Sequence, residues 1–327
     1  MVHNALNSLA PLLATGGTKV QGLTRLSGGA SQETWSFEVL DNKGHTTRMI
    51  LRRCPNLGPR NHEAIGLVTE ASLLVSAQAH DICVPHVVHV CAAVDGLGDA
   101  FIMAFVEGET LARKILRDAS FADARIVLAR QCGDALARIH KMPMFEALPT
   151  SDGLNQLARY RDIYRGFQVN RPVIELAFTW LADTAPLPVD VTLVHGDFRN
   201  GNLIVGEDGL RAVLDWELAH IGDPREDLGW ICVNSWRFGN SHKRVGGFGE
   251  LDELLEAYHQ AGGQHFRVQD IAWFQALGSL KWAVMCLIMY QDFETGADAS
   301  IERAMIGRRT SEAEIDLLNL MEERPYA

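Results

Sequence analysis

The chain has 327 residues, 47% hydrophobic and 22% charged, with 41 acidic against 30 basic side chains and a formal net charge of −11. That composition excludes a disordered, collagen-like or low-complexity polymer. The acidic balance argues against nonspecific nucleic-acid binding, which needs a cationic footprint to displace counterions. In chain order, residues 1–17 lack a basic start and their apolar run is broken by Asn and Pro, so no secretory signal is expected. Strands are expected at Val20 to Leu26, Thr34 to Val39 and Thr46 to Arg52, the last two joined by the turn Asp41-Asn42-Lys43-Gly44. A helix over Glu63 to Ala79, with Ile65, Val68, Leu73 and Val75 among its apolar positions, precedes two more strands, Val84 to Val94 and Ala100 to Val106.

From Leu111 onward the pattern turns helical. Ala124 to His140 repeats apolar residues at helical spacing, and Leu154 to Leu181 does the same, with Pro172 interrupting it or starting a second helix. Short strands are read at Val191 to Val194, Leu203 to Val205 and Ala212 to Leu214, then helices at Leu251 to Ala261, Ile271 to Tyr290 and Ser311 to Glu322. The pattern divides into an N-terminal lobe, residues 1–106, and a helical C-terminal lobe, residues 107–327. No apolar run near the ~18–20 residues of a spanning helix is read. Six cysteines without a Cys-x-x-Cys pair fit reduced thiols. The expectation is a soluble cytoplasmic protein with no membrane or nucleic-acid partner, its oligomeric state open.

The most informative segment is His195-Gly196-Asp197-Phe198-Arg199-Asn200-Gly201-Asn202, on a loop between short apolar strands. Asp215 follows at the end of another strand, in Leu214-Asp215-Trp216-Glu217. Phosphoryl transfer from ATP needs a carboxylate to receive the acceptor's proton and oxygen ligands for Mg²⁺. Asp197 suits the first task, Asn202 and Asp215 the second.

With Gly222-Asp223-Pro224-Arg225-Glu226-Asp227-Leu228-Gly229-Trp230, these motifs resemble the aminoglycoside phosphotransferase and choline kinase-like family, especially its branch associated with acyl-CoA dehydrogenases. The resemblance implies an α+β, bilobal protein-kinase-like fold, with a small antiparallel sheet in the N-lobe and a mainly helical C-lobe. It implies an ATP- and Mg²⁺-dependent enzyme that phosphorylates a hydroxyl of a small molecule. Asp197 matches the catalytic base, Asn202 and Asp215 the magnesium ligands, and His195 a residue that supports the loop. Asp223 and Asp227 match a segment with a structural or substrate-side role.

For the nucleotide, Ser27-Gly28-Gly29-Ala30-Ser31 resembles the phosphate-covering loop, and Ser27, Gly28, Gly29 and Ser31 are its candidate contacts. Where the family usually places a phosphate-gripping lysine, Met49-Ile50-Leu51-Arg52-Arg53 offers arginine; Arg52 is preferred, with Arg53 open. Glu70 would orient that arginine, with Glu63 as its rival. Phe105 and Val106 match the linker beside adenine.

Other features read as structure. Cys83, His86, His89 and Cys91 fit no common zinc spacing, Trp273 to Leu287 is a core stripe, and Gly246-Gly247-Phe248-Gly249 is expected to be a mobile surface loop. The alternative function is a nucleotide-binding pseudokinase or regulatory module, motivated by Arg52; a protein-directed kinase lacks its motif series. The acceptor is read as a metabolic hydroxyl compound rather than an antibiotic. Residues 248–327 carry 14 acidic and 6 basic side chains, a surface field expected to tolerate or favour cationic acceptors.

Overall fold

The computed structural model describes residues 2–26, 32–54 and 64–322. Its chain divides into two compact units, one of Met1–Gly108 with Arg211–Ala219, the other of Glu109–Leu210 with His220–Ala327.

The first unit opens with α1 (Val2–Leu13), a helix the sequence reading did not expect because Asn and Pro interrupt the apolar run. Pro11 stands in its last turn, so its missing N–H costs one intrahelical bond near the end of the helix rather than breaking it. Leu6, Leu9, Ala10 and Leu13 face inward and share a core with Val20, Phe37, Val39, Met49 and Leu51. The Asn7 side chain ties α1 to the next strand by accepting from the Val20 amide at 2.6 Å. Then come β1 (Gly17–Leu26), β2 (Glu33–Asp41), β3 (Thr46–Cys54), α2 (Leu67–Ala79), β4 (Val87–Val90) and β5 (Asp99–Ala104). The strands form one antiparallel sheet in the order β1-β2-β3-β5-β4. Its register sets Arg52 opposite Thr34 on one side and Phe101 on the other.

Two details of this unit differ from the expectation. The helix α2 starts at Leu67, after non-helical Ala64 to Gly66. Its buried side is Leu67, Glu70, Ala71, Leu73 and Leu74, while Val68 and Val75 are half exposed. A carboxylate therefore occupies a core position that apolar periodicity assigns to valine. The strand β4 is also shorter than the run Val84 to Val94. Arg211–Ala219 belongs with the sheet because the Val213 amide donates to the Cys83 carbonyl, and the Glu217 carbonyl accepts from the Ile65 amide, both at 2.8 Å.

In the second unit, α3 (Ala112–Arg117), α4 (Ala122–His140), α5 (Gly153–Gly166) and α6 (Pro172–Asp183) come first. Pro172 opens α6, where its fixed φ fits and its missing N–H is not needed. The strands β6 (Thr192–Val194), β7 (Leu203–Gly206), β8 (Gly209–Val213, through which the chain passes into the first unit) and β9 (His220–Gly222) follow, then α7 (Arg225–Trp230) and α8 (Leu251–Gln260). The strands β6 and β9 pair antiparallel, Leu193 opposite Ile221. Last are α9 (Val268–Thr295), α10 (Ile301–Gly307) and α11 (Thr310–Met321).

The core of this unit is built around α9. By length and composition alone that helix could cross a membrane, a point the sequence reading missed; 78% of its most apolar window is buried inside the protein, so it is a core helix. Ala276, Leu277, Leu280, Ala283 and Val284 pack with Phe178, Leu181, Trp230 and Leu317. Two glycines let α7 lie close against α9. A Cβ on Gly229 would come within 2.7 Å of Phe274 and the Gln275 backbone, and one on Gly278 within 2.8 Å of Val233.

The glycine-rich turn at 246–249 is not a mobile surface loop. Val245 and Phe248 are buried, Gly246 N donates to the Ile231 carbonyl at 3.1 Å, and the Asn200 amide donates to Gly246 O at 2.7 Å. These hydrogen bonds give the turn an inward role that its composition does not reveal.

Candidate functional site

In the second unit, β6 ends at Val194 and the chain turns at once through His195 and Gly196, the latter at φ 82°. Asp227, fully buried at the start of α7, holds this turn from below. Its Oδ2 accepts from the His195 amide at 2.8 Å and meets His140 Nε2 at 3.1 Å, and its Oδ1 accepts from the Gly196 amide at 2.9 Å. Burial alone would push the Asp227 carboxyl up, but the His140 hydrogen bond and the charges of His140 and His195 outweigh it, and the carboxyl sits below its ordinary range. Asp223, its neighbour in the same motif, is spent on the Arg225 guanidinium at 2.6 Å.

The turn delivers Asp197 with its orientation fixed. Oδ1 accepts from Trp230 Nε1 at 2.7 Å and from Arg199 Nε at 2.8 Å; Oδ2 accepts from Asn202 Nδ2 at 2.6 Å. Arg199 in turn lies over the Trp236 ring, 4.5 Å from its centroid. The Asn202 amide also donates to the Asp197 carbonyl at 3.0 Å. Its nitrogen is thus committed to Asp197, which leaves the amide oxygen as the end suited to a hard cation. His195 is buried, and its Nδ1 accepts from the Asp197 amide at 3.2 Å, a supporting position.

The first unit gathers a second constellation. Arg52 on β3 pairs through Nη1 with Glu70 Oε1 at 2.7 Å, and through Nη2 with Gln32 Oε1 at 2.6 Å and Asp215 Oδ1 at 3.1 Å. Gln32 donates its own amide to Glu217 at 2.9 Å. Glu70 is buried, and burial lifts its carboxyl to about 7 although Arg52 pulls it back. Asp215 adopts φ 64°, a left-handed backbone that few side chains tolerate and that an aspartate adopts more readily than most. Of the two glutamates left open by the sequence, Glu70 holds Arg52; Glu63 lies outside the described residues. Arg53 pairs instead with Glu33, at 3.5 Å.

Ser27, Gly28, Gly29 and Ser31 also lie outside the described residues. Phe105 and Val106 follow β5 directly; the Phe105 amide donates to the Arg48 carbonyl at 3.2 Å, and the Arg48 guanidinium sits 3.6 Å from the Phe105 ring centroid. Sequence reasoning missed Trp230, Arg199 and Gln32 as neighbours of the charged groups. The signal for Trp230 was present, three residues after Asp227 in a helix, the spacing that puts both on one face. Nothing in the sequence marks Gln32. Elsewhere His89, Cys91 and Asp95 bring three ligand-type atoms within 4.8 Å. The Cys91 thiol, however, is pushed up to about 12 by burial and by Asp95, so at neutral pH the group is a histidine–aspartate hydrogen bond beside a protonated thiol.

An antiparallel sheet carrying an arginine–glutamate pair, and a helical unit carrying the Asp197–Asn202 loop, define the protein-kinase-like class of phosphotransferases. The chain belongs to the phosphotransferase enzyme family, whose model matches residues 22–298. A protein of Ralstonia eutropha assigned as an aminoglycoside phosphotransferase has the same fold, with a TM-score of 0.74 at 20% identity over 99% of both chains. So does a thermostable mutant of an aminoglycoside phosphotransferase, solved with ADP and hygromycin B, with a TM-score of 0.61 at 15% identity over 96% of this chain and 97% of that one. Acyl-CoA dehydrogenase family member 10 of Mus musculus is 27% identical over 258 residues, 75% of this chain and 23% of its own length. The chain spans between 23% and 37% of the length of the first such relatives.

Proposed function

We propose that the protein moves the γ-phosphoryl group of ATP to a hydroxyl of a small molecule, with Asp197 as the base. The observation that carries this reading is the fixed Asp197 carboxylate, which receives hydrogen bonds from Trp230, Arg199 and Asn202. A base must be aimed before it is useful, and these donors hold it in one orientation. Asp197 accepts the acceptor's proton as the hydroxyl oxygen bonds to the γ-phosphorus and the bond to the β-bridging oxygen breaks, releasing ADP.

The residues fit Mg²⁺ as well. Asn202 offers an amide oxygen and Asp215 a carboxylate, the hard donors this ion prefers, so each suits the role of ligand. When bound, the ion would neutralise charge on the phosphates. Arg52, oriented by Glu70, would grip the nucleotide's phosphates. An arginine in place of lysine therefore does not argue for an inert module, because it makes the ion pair such a grip requires. ADP in the complex with hygromycin B supports a nucleotide here, and the acyl-CoA dehydrogenase relatives favour a metabolic hydroxyl compound over an antibiotic as acceptor.

Calorimetric titration of ATP with and without Mg²⁺ tests the nucleotide half. The wild type should bind ATP more tightly with Mg²⁺, and Asn202→Ala and Asp215→Ala should lose that enhancement. Binding that ignores both the metal and the substitutions would overturn this part of the reading.

A further inference from the structure

The second unit contains a small, half-open cleft with room for about one water or hydroxyl group, walled by Trp230, Phe274 and Leu277 on its apolar side and by Gln156, Glu226 and Lys281 on its polar side. Trp230 connects this cleft to the proposed base, because the indole that lines it also donates to Asp197 at 2.7 Å.

The polar wall is built, and it is incomplete in one place. Gln156 is spent at both ends of its amide: Nε2 donates to Glu226 Oε2, and Oε1 accepts from Lys281 Nζ at 2.7 Å. Glu226 Oε2 also meets His220 Nε2 at 3.2 Å. Glu226 Oε1 has no hydrogen-bond partner, although the residue is only 7% exposed. A buried carboxylate oxygen left so is unusual and calls for a donor. Lys281 Nζ lies 5.3 Å from the Trp230 ring centroid and 5.7 Å from that of Tyr160, and an ammonium has three N–H groups to give.

The charges of the cleft restrict what can enter. Asp227, which also lines it, is committed to His140 and to the His195 and Gly196 amides. Glu226 Oε1 remains as an acceptor and Lys281 Nζ as a donor. An ammonium can donate to Glu226 but cannot accept from Lys281, and a carboxylate can accept from Lys281 but cannot donate to Glu226. A hydroxyl satisfies both, since it donates through its proton and accepts through its oxygen.

We propose that this cleft is the recognition subsite for the phosphoryl acceptor, and that it selects an uncharged diol or polyol whose second hydroxyl donates to Glu226 Oε1 and accepts from Lys281 Nζ. This rests on Asp197 being the base, and it names the substrate class of that same site. It reverses the expectation drawn from the acidic C-terminal stretch, because an ammonium cannot accept the hydrogen bond that Lys281 offers, and the distant surface field is screened by salt within about 10 Å. Burial also holds Lys281 below the ordinary lysine range against the pull of Glu226, Asp197 and Asp227, as expected of an ammonium shielded from bulk water.

Saturation-transfer NMR on the full chain tests this with three probes of similar size: glycerol, ethanolamine and glycolate. Glycerol should show transfer and shift the Lys281 ε-methylene signal, and the cationic and anionic probes should bind at least tenfold more weakly. Lys281→Met and Glu226→Gln should each weaken glycerol at least tenfold. Should either variant fail to fold, the Lys281 shift in the wild type reads the same contact. Ethanolamine or glycolate binding as well as glycerol, or no glycerol signal at all (a cleft that holds only water), would overturn the subsite. The readout is binding, so an enzyme that transfers phosphate but ignores glycerol sinks the subsite alone. A protein that binds glycerol through Lys281 yet transfers nothing sinks the proposed activity instead.

Discussion

Around Asp197 both carboxylate oxygens are occupied, and Asp227 beneath it has both of its own committed to the turn. Around Arg52 the hydrogen bonds are unfinished: Arg52 Nε is buried without a partner, and Glu70 sits near 7 rather than in the carboxylate range. The first arrangement is complete before any ligand arrives. The second keeps charge in a low-dielectric setting with a donor to spare, which is costly unless something binds there. The catalytic loop is thus organised by its own residues, whereas the arginine cluster awaits a partner.

That contrast can be broken at several points. Asp227→Ala removes the acceptor for two backbone amides and His140, and breaking a buried network of this kind costs about 3–5 kcal/mol. Urea unfolding should show the loss, together with collapse of any phosphoryl transfer. Arg52→Ala should cost less stability, about 1–3 kcal/mol, because Glu70 can take up a proton once its counter-ion is gone. Its ATP affinity should nevertheless fall by about 10–100-fold, the worth of a charge-assisted bond. Combining it with Glu70→Gln should restore stability but not affinity, which separates the two roles. Gly278→Ala should lower stability by about 1–3 kcal/mol through overpacking against Val233 and Trp230. It should also lower kcat more than it raises KM for ATP, since Trp230 aims Asp197.

A further test is a pH dependence. Glu70 titrates near 7 in the folded chain and near 4.5 when unfolded. The folded state therefore binds the extra proton between these values, and the stabilisation it brings is full below about 4.5 and lost as pH rises through 7. Stability measured at pH 5, 6, 7 and 8 should decline relative to Glu70→Gln over that window. An unchanged difference would place Glu70 in the ordinary carboxylate range.

The sequence made the catalytic loop legible because its parts are local: Asp197 and Asn202 are five residues apart, and their hydrogen bond closes within one turn of chain. The break at Pro172 was equally plain, as the proline ring dictates it. What stayed hidden depends on distant partners. The helix α1 is defined by the face it buries on the sheet, and Pro11 masks it. Val68 and Val75 looked like core, but the sheet meets the side of α2 that carries Glu70. The glycine turn at 246–249 is fixed by Asn200 and Ile231, which its own composition cannot announce. The Glu226–Gln156–Lys281 chain joins α7, α5 and α9, and no spacing in the sequence links them.

The central claim is that Asp197 serves as the base for phosphoryl transfer from ATP. The most direct measurement is a ³¹P NMR time course of the wild type and Asp197→Ala with Mg²⁺, ATP and a panel of hydroxyl compounds. The wild type should convert ATP to ADP with one phosphomonoester formed per ADP. Asp197→Ala should bind ATP with nearly unchanged affinity and transfer about 10²–10⁴-fold more slowly. A variant that turns over at the wild-type rate would contradict the account.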